Sequence, residues 1–218
     1  MFTGIISGLG RITQVRALGA NESQGKQLTI AVPPGYLDDV QLGDSIAING
    51  ACMTVTTFDA ASHEFTLDIS PESLDKTAGL GEPGAVNLEK AMCANDRLGG
   101  HMVSGHVDGI GTVTHFALIG DDWKELRIRT PADLARFIAY KGSITVNGVS
   151  LTVNRVIDGD GAGAGDGAPG GCELSINLIP HTLANTTLGT LQSGQRVNLE
   201  IDLIARYVER MLTAPKVN

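Results

Sequence analysis

The chain contains the same sequence pattern twice, and this duplication limits the folds open to it more than any other feature. Four segments recur in the same order about 100 positions later. The matched pairs are 1–12 with 102–113, 45–55 with 143–153, 69–74 with 178–183, and 86–89 with 197–200. Because an internal repeat is one structural unit used more than once, we predict two tandem domains, 1–97 and 98–203, followed by a C-terminal helix and tail, 204–218.

The two copies differ in length through one insertion. The displacement is 98 positions in the second matched pair and 109 in the third, so copy two has 11 additional residues between them. The segment 159–171 lies in this interval, holds seven of the 28 glycines and has no apolar pattern, which predicts a flexible surface loop. Its glycine spacing resembles a nucleotide-binding loop, but the residues after it have a strand pattern instead of a helical one.

Short strands are the predicted building blocks of each copy. Ile46 and Ile48 alternate with smaller or polar residues, as their counterparts in copy two do. Asn-Gly pairs at 49–50 and 147–148 stand between apolar runs and favour tight turns, because both residues tolerate positive φ. Many short strands separated by glycine are typical of a small β-barrel or sandwich.

Helical signals interrupt the strands at a few places. Residues 131–138 begin with proline and predict a short helix, with a counterpart that begins at Pro33. At the C-terminus, apolar residues follow a helical spacing after Asp202, a potential N-cap. These apolar residues are Ile204, Tyr207, Val208, Met211 and Leu212. Such a helix fits two uses, packing on its own barrel or contact between subunits.

Composition and charge exclude several classes of protein. The net charge of −8 and the aromatic content of 4% argue against a nucleic-acid partner and against an oligonucleotide- or oligosaccharide-binding barrel. No run approaches the roughly 18 apolar residues of a membrane span, and the start lacks a signal-peptide pattern. Three distant cysteines without a CxxC motif predict no disulfide framework. We therefore expect a cytoplasmic protein that contacts no membrane.

The positions at which the copies differ are candidates for chemistry. The differing pairs are Cys52 with Ser150, Ile5 with His106, Glu72 with His181, and Gly43 with Lys141, whereas Thr54 and Thr152 agree. Cys52 fits a small buried hydrophobe as well as a nucleophile. His106 fits a general acid–base or a solvated loop residue. His101 and His106 lack partners at metal-ligand spacing, so no metal is expected.

These motifs closely resemble the riboflavin synthase family over essentially the whole chain. The resemblance rests on MFTGII at 1–6, GGHMVSGHVDG at 99–109, NLIPHTL at 177–183, TTLG at 186–189 and both Asn-Gly motifs. The loop 159–171 is the one sizeable departure, and it removes no motif residue.

The resemblance implies an all-β fold of two six-stranded antiparallel Greek-key barrels, each binding one 6,7-dimethyl-8-ribityllumazine. Two lumazines would dismutate by transfer of a four-carbon unit, giving riboflavin and 5-amino-6-ribitylaminouracil in the last step of riboflavin biosynthesis. The resemblance also implies a homotrimer joined through the C-terminal helix, with reaction between the N-barrel of one subunit and the C-barrel of another. No metal or redox cofactor is implied.

The resemblance further implies the substrate-binding positions. In copy one these are Gly4, Ile5, Ile6, Cys52, Met53, Thr54, Asp68, Ile69, Ser70, Pro71, Glu72 and Ser73. In copy two they are Gly105, His106, Val107, Lys141, Ser150, Leu151, Thr152, Leu178, Ile179, Pro180, His181, Thr182 and Leu183. We assign each set to a pocket in its own copy.

The catalytic candidates are Ser150, His106, Cys52, Thr152 and Asp202. In this hypothesis Ser150, or a water that it holds, adds to C7 of one lumazine while His106 moves protons. Asp202 matches an acidic position of the family, although an N-cap role explains it equally. The alternative function is a non-catalytic lumazine- or flavin-binding relative, which we expect to have lost polar ligand positions in copy two. Ser150, Thr152, His106 and Lys141 are all present, which favours the enzyme.

Overall fold

The computed structural model describes residues 1–20, 24–159 and 171–215 and contains two similar β-domains. The elements of the first copy are β1 (Gly8–Ala17), β2 (Lys26–Ala31), β3 (Ser45–Ile48), β4 (Ala51–Asp59), β5 (Glu64–Ile69), α1 (Pro71–Lys76) and β6 (Gly84–Lys90). Those of the second copy are β7 (Gly109–Ile119), β8 (Trp123–Arg129), α2 (Ala132–Ala135), β9 (Ser143–Val146), β10 (Val149–Thr152), β11 (Arg155–Asp158), β12 (Cys172–Leu178), α3 (Pro180–Asn185), β13 (Arg196–Ile201) and α4 (Leu203–Thr213).

The first copy forms a closed antiparallel barrel with the strand order β1-β2-β5-β4-β3-β6. Alternate side chains of these strands point inward, so that Leu28, Ile46 and Leu67 are completely buried. The predicted all-β architecture and the predicted barrel are confirmed for this copy, and the alternation in the sequence is its cause.

The second copy forms a curled sheet of seven strands in the order β10-β9-β13-β7-β8-β12-β11, rather than the closed six-stranded ladder that was predicted. Its two edge strands, β10 and β11, follow each other in the chain and correspond to the single strand β4. The division falls where the backbone changes partner, since Val153 N donates to Gly142 O and Asn154 N donates to Ser175 O. In β4 the equivalent place is a bulge between Val55 and Thr57.

The helix predicted near residue 131 is confirmed as α2, but its counterpart from Pro33 is wrong. The chain there makes successive turns, in which Tyr36 N donates to Pro33 O and Asp38 N donates to Gly35 O. Gly35 has a φ of 80°, and a left-handed residue interrupts an α-helix. The predicted flexible loop 159–171 lies mostly outside the described residues, although Gly159 N donates to Gly171 O at its two ends.

The two Asn-Gly turns are confirmed and lie back to back between the domains. Asn49 and Gly50 have φ values of 46° and 86°, and Asn147 and Gly148 have 47° and 80°, the combination of type I′ turns. A Cβ added to Gly50 would stand 2.8 Å from Gly148 N, and one added to Gly148 would stand 2.8 Å from Gly50 N. Glycine is required here both for the turn and for the contact.

Two buried asparagines cross this junction symmetrically. Asn87 Nδ2 donates to Asn147 O at 2.9 Å, and Asn198 Nδ2 donates to Asn49 O at 3.0 Å. Each amide oxygen accepts a backbone N–H of the other copy, that of Thr187 for Asn87 and that of Ala78 for Asn198. Removing one amide would leave buried backbone groups unpaired, so these contacts fix the two domains against each other.

We predict that Gly50→Ala destabilises the protein more than Gly194→Ala does. Both alanines would be held near a φ of +90°, which costs about 1–2 kcal/mol. Only Gly50 faces backbone atoms across the junction, and overpacking adds about 1–3 kcal/mol, whereas nothing lies within 4 Å of a Cβ at Gly194. Equilibrium unfolding in urea measures both variants, and equal losses would contradict a close backbone contact at Gly50.

Candidate active site

The opening segment of each copy crosses to the other copy's domain. We call residues 1–6 the first crossing segment and residues 102–107 the second. They pair briefly where they pass each other, since Phe2 N donates to Val103 O at 2.8 Å and Val103 N donates to Phe2 O at 3.1 Å. Ile6 then packs against the core of the second domain, and Val107 packs against the core of the first.

Each crossing segment passes beside one member of the Cys52–Ser150 pair, at which the two copies differ. Ser150 N, on β10, donates to Gly4 O at 2.8 Å. Cys52 N, on β4, donates to Gly105 O at the same distance. Two sites of the same backbone design result, which we call the serine pocket and the cysteine pocket after these residues.

The crossing changes the grouping that the sequence analysis assigned. Gly4, Ile5 and Ile6 belong to the serine pocket of copy two, and residues 105–107 belong to the cysteine pocket of copy one. Exposed His106 therefore stands next to Gly105 on the cysteine side, not with Ser150. The repeat could not show this exchange, because a segment displaced by one full repeat matches either pocket equally well.

Glycine is needed at both contacts because the backbones approach closely. A Cβ on Gly4 would lie 2.6 Å from Ser150 Cβ, and one on Gly105 would lie 2.7 Å from Cys52 Cβ. Both glycines also have positive φ values, 76° and 80°. Any side chain would force the crossing segment away from the pocket.

A buried glutamate of the same copy holds each crossing segment through hydrogen bonds. Glu89 Oε1 accepts Thr3 N and Thr3 Oγ1, both at 2.7 Å, and Glu89 Oε2 accepts Gly4 N at 2.9 Å. Glu200 accepts Ser104 N at 2.7 Å, Ser104 Oγ at 2.6 Å and Gly105 N at 3.0 Å. Burial raises the pKa of both carboxyls, and these hydrogen bonds oppose that rise in part.

The serine pocket contains a histidine that the sequence analysis did not assign to it. His101 Nδ1 lies 2.8 Å from Ser150 Oγ, and burial lowers the pKa of His101, against a smaller opposing effect of the Asp202 charge. A neutral imidazole on a hydroxyl is a potential general base. The repeat offered no signal for His101, because the matching segment of copy one begins with Met1.

Asp202 caps α4 and also lies close enough to His101 for its charge to act on the imidazole. Its Oδ1 accepts Ile204 N at 2.9 Å and caps α4, as predicted. Its charge also acts on His101. The cap therefore places a carboxylate where it favours the protonated form of the histidine.

The other predicted binding residues fall into three groups. Some turn their side chains into the cores; these are Met53, Ile69 and Leu178. Some belong to the short helices α1 and α3, or are their N-caps; these are Ser70, Pro71, Glu72, Ser73, Ile179, Pro180, His181, Thr182 and Leu183. The rest lie on strands or loops; these are Thr54, Asp68, Lys141, Leu151 and Thr152.

Lys141 has a distinctive backbone among these residues. Its φ is 61°, and its counterpart Gly43 has a φ of 90°, so the two positions share a left-handed turn. Lys141 Nζ donates to Asn154 Oδ1 at 3.1 Å. Copy two therefore holds a cation at a strained position where copy one has no side chain.

A separate open groove of about 730 Å³ lies between the domains and holds none of the predicted site residues. Its lining includes Asn49, Ala78, Asn147 and Arg196. Within the described residues, no cluster of three or more His, Cys, Asp or Glu could hold a metal ion, and no helix could span a membrane. The candidate site therefore lies at the crossing segments and not in this groove.

Comparison with protein families and curated relatives covers both copies. A family model described as the lumazine binding domain matches residues 3–91 and again residues 104–202. Riboflavin synthase of Actinobacillus pleuropneumoniae is 42% identical over 217 residues, which span 97% of this chain and 90% of that protein. Riboflavin synthase of Mycobacterium bovis is 42% identical over 215 residues, which span 97% of this chain and 98% of that protein.

Solved structures share the two-domain architecture. LumP complexed with 6,7-dimethyl-8-(1'-D-ribityl) lumazine superposes with a TM-score of 0.73 at 26% identity, covering 92% of this chain and 98% of that chain. LumP complexed with riboflavin gives a TM-score of 0.74 at 27% identity, covering 92% and 99%.

We predict that His101 titrates below pH 6.5 because its imidazole is buried. Asp202→Asn should lower the midpoint further, since it removes the charge that favours the imidazolium, while asparagine still caps α4. Proton NMR follows the titration, with the His101 signal assigned by its loss in His101→Gln. A midpoint at or above 6.5, or a rise in Asp202→Asn, would contradict the burial of a neutral ring.

The same shift has a consequence for stability. A histidine with a lowered pKa in the folded state is protonated first in the unfolded chain. The contribution of His101 to the free energy of unfolding should therefore fall as the pH drops from 6.5 towards the folded-state pKa. His101→Gln should flatten that part of the stability curve.

Proposed function

The chain belongs to the riboflavin synthase family of transferases, and from that membership we propose that it dismutates two molecules of 6,7-dimethyl-8-ribityllumazine. One molecule transfers four carbons to the other, giving riboflavin and 5-amino-6-ribitylaminouracil. The two products contain all the atoms of the two substrates, so the reaction needs no oxidant or reductant. The observation that carries the proposal is the crossing of the two segments, which builds two pockets of one design.

Two pockets of one backbone design suit a reaction between two identical molecules. Fixing both reactants in alignment replaces a bimolecular encounter, and such alignment contributes about 7–11 kcal/mol to lowering a barrier. The proton on the 7-methyl group of the lumazine is acidic because the carbanion is delocalised into the ring. A base of moderate strength is therefore sufficient.

The two molecules must nevertheless play different roles, and the serine pocket supplies the difference. We assign to Ser150 Oγ, or to a water in its place, the addition to C7 of one lumazine. The bond forms between oxygen and C7, the ring takes up the electron pair, and the proton passes to Nδ1 of neutral His101. Asp202 then stabilises the imidazolium that results.

The cysteine pocket receives different groups under the same proposal. Cys52 is half-buried beneath Gly105, and His106 follows on the same crossing segment with its side chain exposed. His106 thus serves as a proton carrier for the lumazine in this pocket. Thr54 and Thr152, exposed on equivalent strands, serve the two pockets alike as hydroxyl contacts.

The remaining family positions are proposed contacts of the same two ligands. In this assignment Asp68 and the start of α1 contact the lumazine of the cysteine pocket, and Lys141 and the start of α3 contact the lumazine of the serine pocket. Met53, Ile69 and Leu178 contribute through their backbone, since their side chains are in the cores.

We predict that the purified protein converts this lumazine to riboflavin without additives, and that Ser150→Ala lowers kcat about 100-fold or more, the scale of a lost acid–base step. Lumazine affinity should change much less, because the backbone contacts of the pocket remain. Riboflavin absorbance gives the rate, and a fluorescence titration gives the affinity.

Ser193→Ala is the matched control for this test. Ser193 Oγ donates to Thr114 O, away from both pockets, so its loss should leave kcat unchanged. An unchanged kcat in Ser150→Ala would remove Ser150 from the mechanism. Lumazine binding without riboflavin formation by the parent protein would instead identify a binding protein without turnover.

We also propose that α4 joins the chains into a homotrimer. Arg206 Nη2 bonds both oxygens of Asp108 at 2.7 and 2.8 Å, and Arg136 pairs with Glu209, so charged residues hold α4 to its own domain. The apolar residues face away, with exposed fractions of 48–79%; these are Ile204, Tyr207, Val208, Met211 and Leu212. Of the two uses weighed from the sequence, this arrangement favours contact between subunits.

We predict that Met211→Glu dissociates the oligomer, because it places a charge within the apolar stripe. Arg210→Glu introduces the same side chain at the neighbouring position, off the stripe, and should leave the assembly intact. Sedimentation velocity should show a species of one chain, 22.8 kDa, only for the first variant. Equal behaviour of the two variants would rule out the stripe as the main contact.

A further inference from the structure

Val-Asn-Leu-Glu occurs identically on β6 and β13, and three of its four residues are explained by the fold. The valine and leucine of each copy are completely buried in the cores. The asparagine joins the two domains. The glutamate, Glu89 or Glu200, takes no part in the proposed chemistry, although the copies keep it while they differ at Cys52 and Ser150.

The position of the glutamates is costly for a carboxylate. Glu89 and Glu200 are buried, and neither has an ion-pair partner in the described part of the chain. An isolated buried charge is unfavourable unless hydrogen bonds satisfy it. The three hydrogen bonds that each carboxylate accepts from Thr3 and Gly4, or from Ser104 and Gly105, all come from one crossing segment. Each carboxylate is therefore arranged to hold that segment.

One residue connects each carboxylate to a pocket. Gly4 N donates to Glu89 Oε2, and the carbonyl of the same residue accepts Ser150 N. Gly105 N donates to Glu200 Oε2, and its carbonyl accepts Cys52 N. A displacement of the carboxylate is therefore transmitted within a single residue to the backbone of the pocket residue.

We propose that Glu89 and Glu200 are positioning residues for the pocket of the opposite domain. Glu89, in the first domain, sets the crossing segment against Ser150, and Glu200, in the second domain, sets the other segment against Cys52. This inference rests on the proposed function for its meaning, since the pockets are those of the two lumazines. The crossed assignment itself is a statement about this fold and is tested without a ligand.

Glutamine in place of either glutamate breaks the arrangement without changing its shape. The carboxylate presents two acceptors to N–H groups of adjacent residues. A glutamine presents one acceptor and one NH₂ group, so one backbone N–H faces another donor. Such an unpaired buried donor should shift the equilibrium between the held and the released crossing segment towards release by about tenfold.

The test measures alkylation of Cys52 by iodoacetamide at one pH, in a Cys93→Ser background that removes the exposed thiol; Cys172 is buried. Glu200→Gln should raise the alkylation rate about tenfold, because the segment that covers Cys52 is released. Glu89→Gln should leave this rate within about twofold. The reverse pattern is expected at a reporter thiol in the serine pocket, in the Cys52→Ala, Cys93→Ser, Ser150→Cys background.

Glu64→Gln and Glu173→Gln are the matched controls. These two glutamates are also counterparts in the repeat, on β5 and β12, and accept hydroxyls of Thr13 and Thr114 away from the crossing segments. Both controls should leave both rates unchanged. The proposal would be overturned if one glutamate variant raised the alkylation rates of both reporter thiols equally. It would also be overturned if the variant raised only the rate of the thiol in the glutamate's own domain.

Milder variants cover the case in which a glutamine variant fails to fold. Thr3→Val removes one hydroxyl donor to Glu89, and Ser104→Ala removes the corresponding donor to Glu200. Each should give a weaker form of the same crossed pattern. If neither variant changes the alkylation rate at the opposite pocket, the proposal is contradicted.

Lumazine is then added to separate this inference from the proposed function. Protection of both reporters by lumazine supports the two pockets. At any one lumazine concentration, the faster alkylation should persist only at the pocket opposite the substituted glutamate. If lumazine protects neither thiol, the proposed function fails while the ligand-free rates still decide the role of the glutamates.

Discussion

The pairing of Phe2 with Val103 is the contact on which the rest of the structure depends, because it carries each copy's opening segment into the other domain. Phe2 is completely buried, and burial of a phenylalanine side chain contributes roughly 1.5–3 kcal/mol. That contribution anchors the first crossing segment against the second. The positions of Gly4 and Gly105, and with them both pockets, follow from this anchor.

The side chains of the last strand in each copy contact three different parts of the molecule. In β6, Val86 and Leu88 face the core, Asn87 reaches the other domain, and Glu89 holds the crossing segment. A slip of one residue in register would turn the apolar pair outward and the amide inward, so that the core, the junction and the crossing would fail together. Identity of these four residues in both copies is therefore a consequence of geometry, and it does not mark catalysis.

The sequence predicted the parts of the fold that depend on local pattern. The Asn-Gly turns, the alternation around Ile46 and the cap at Asp202 are local and are confirmed. The exchange of the crossing segments was not predictable, because both copies carry the same pattern and either could complete either pocket. The helix predicted to begin at Pro33 is absent for a local reason, the left-handed φ of Gly35. The proline suggested a helix start, but it gave no sign of this interruption two residues later.

The copies agree and differ in a way that separates support from chemistry. Residues that hold the frame agree, as Gly4 does with Gly105 and Glu89 with Glu200. Some residues at the pockets differ, as Cys52 does from Ser150, although Thr54 and Thr152 agree. The Ser150 hydroxyl also has a histidine, His101, within hydrogen-bond distance. Two identical molecules bound in identical surroundings would have no reason to react as unequal partners. A frame that is symmetric, with pockets that are not, removes that equivalence and keeps the alignment that two equal domains provide.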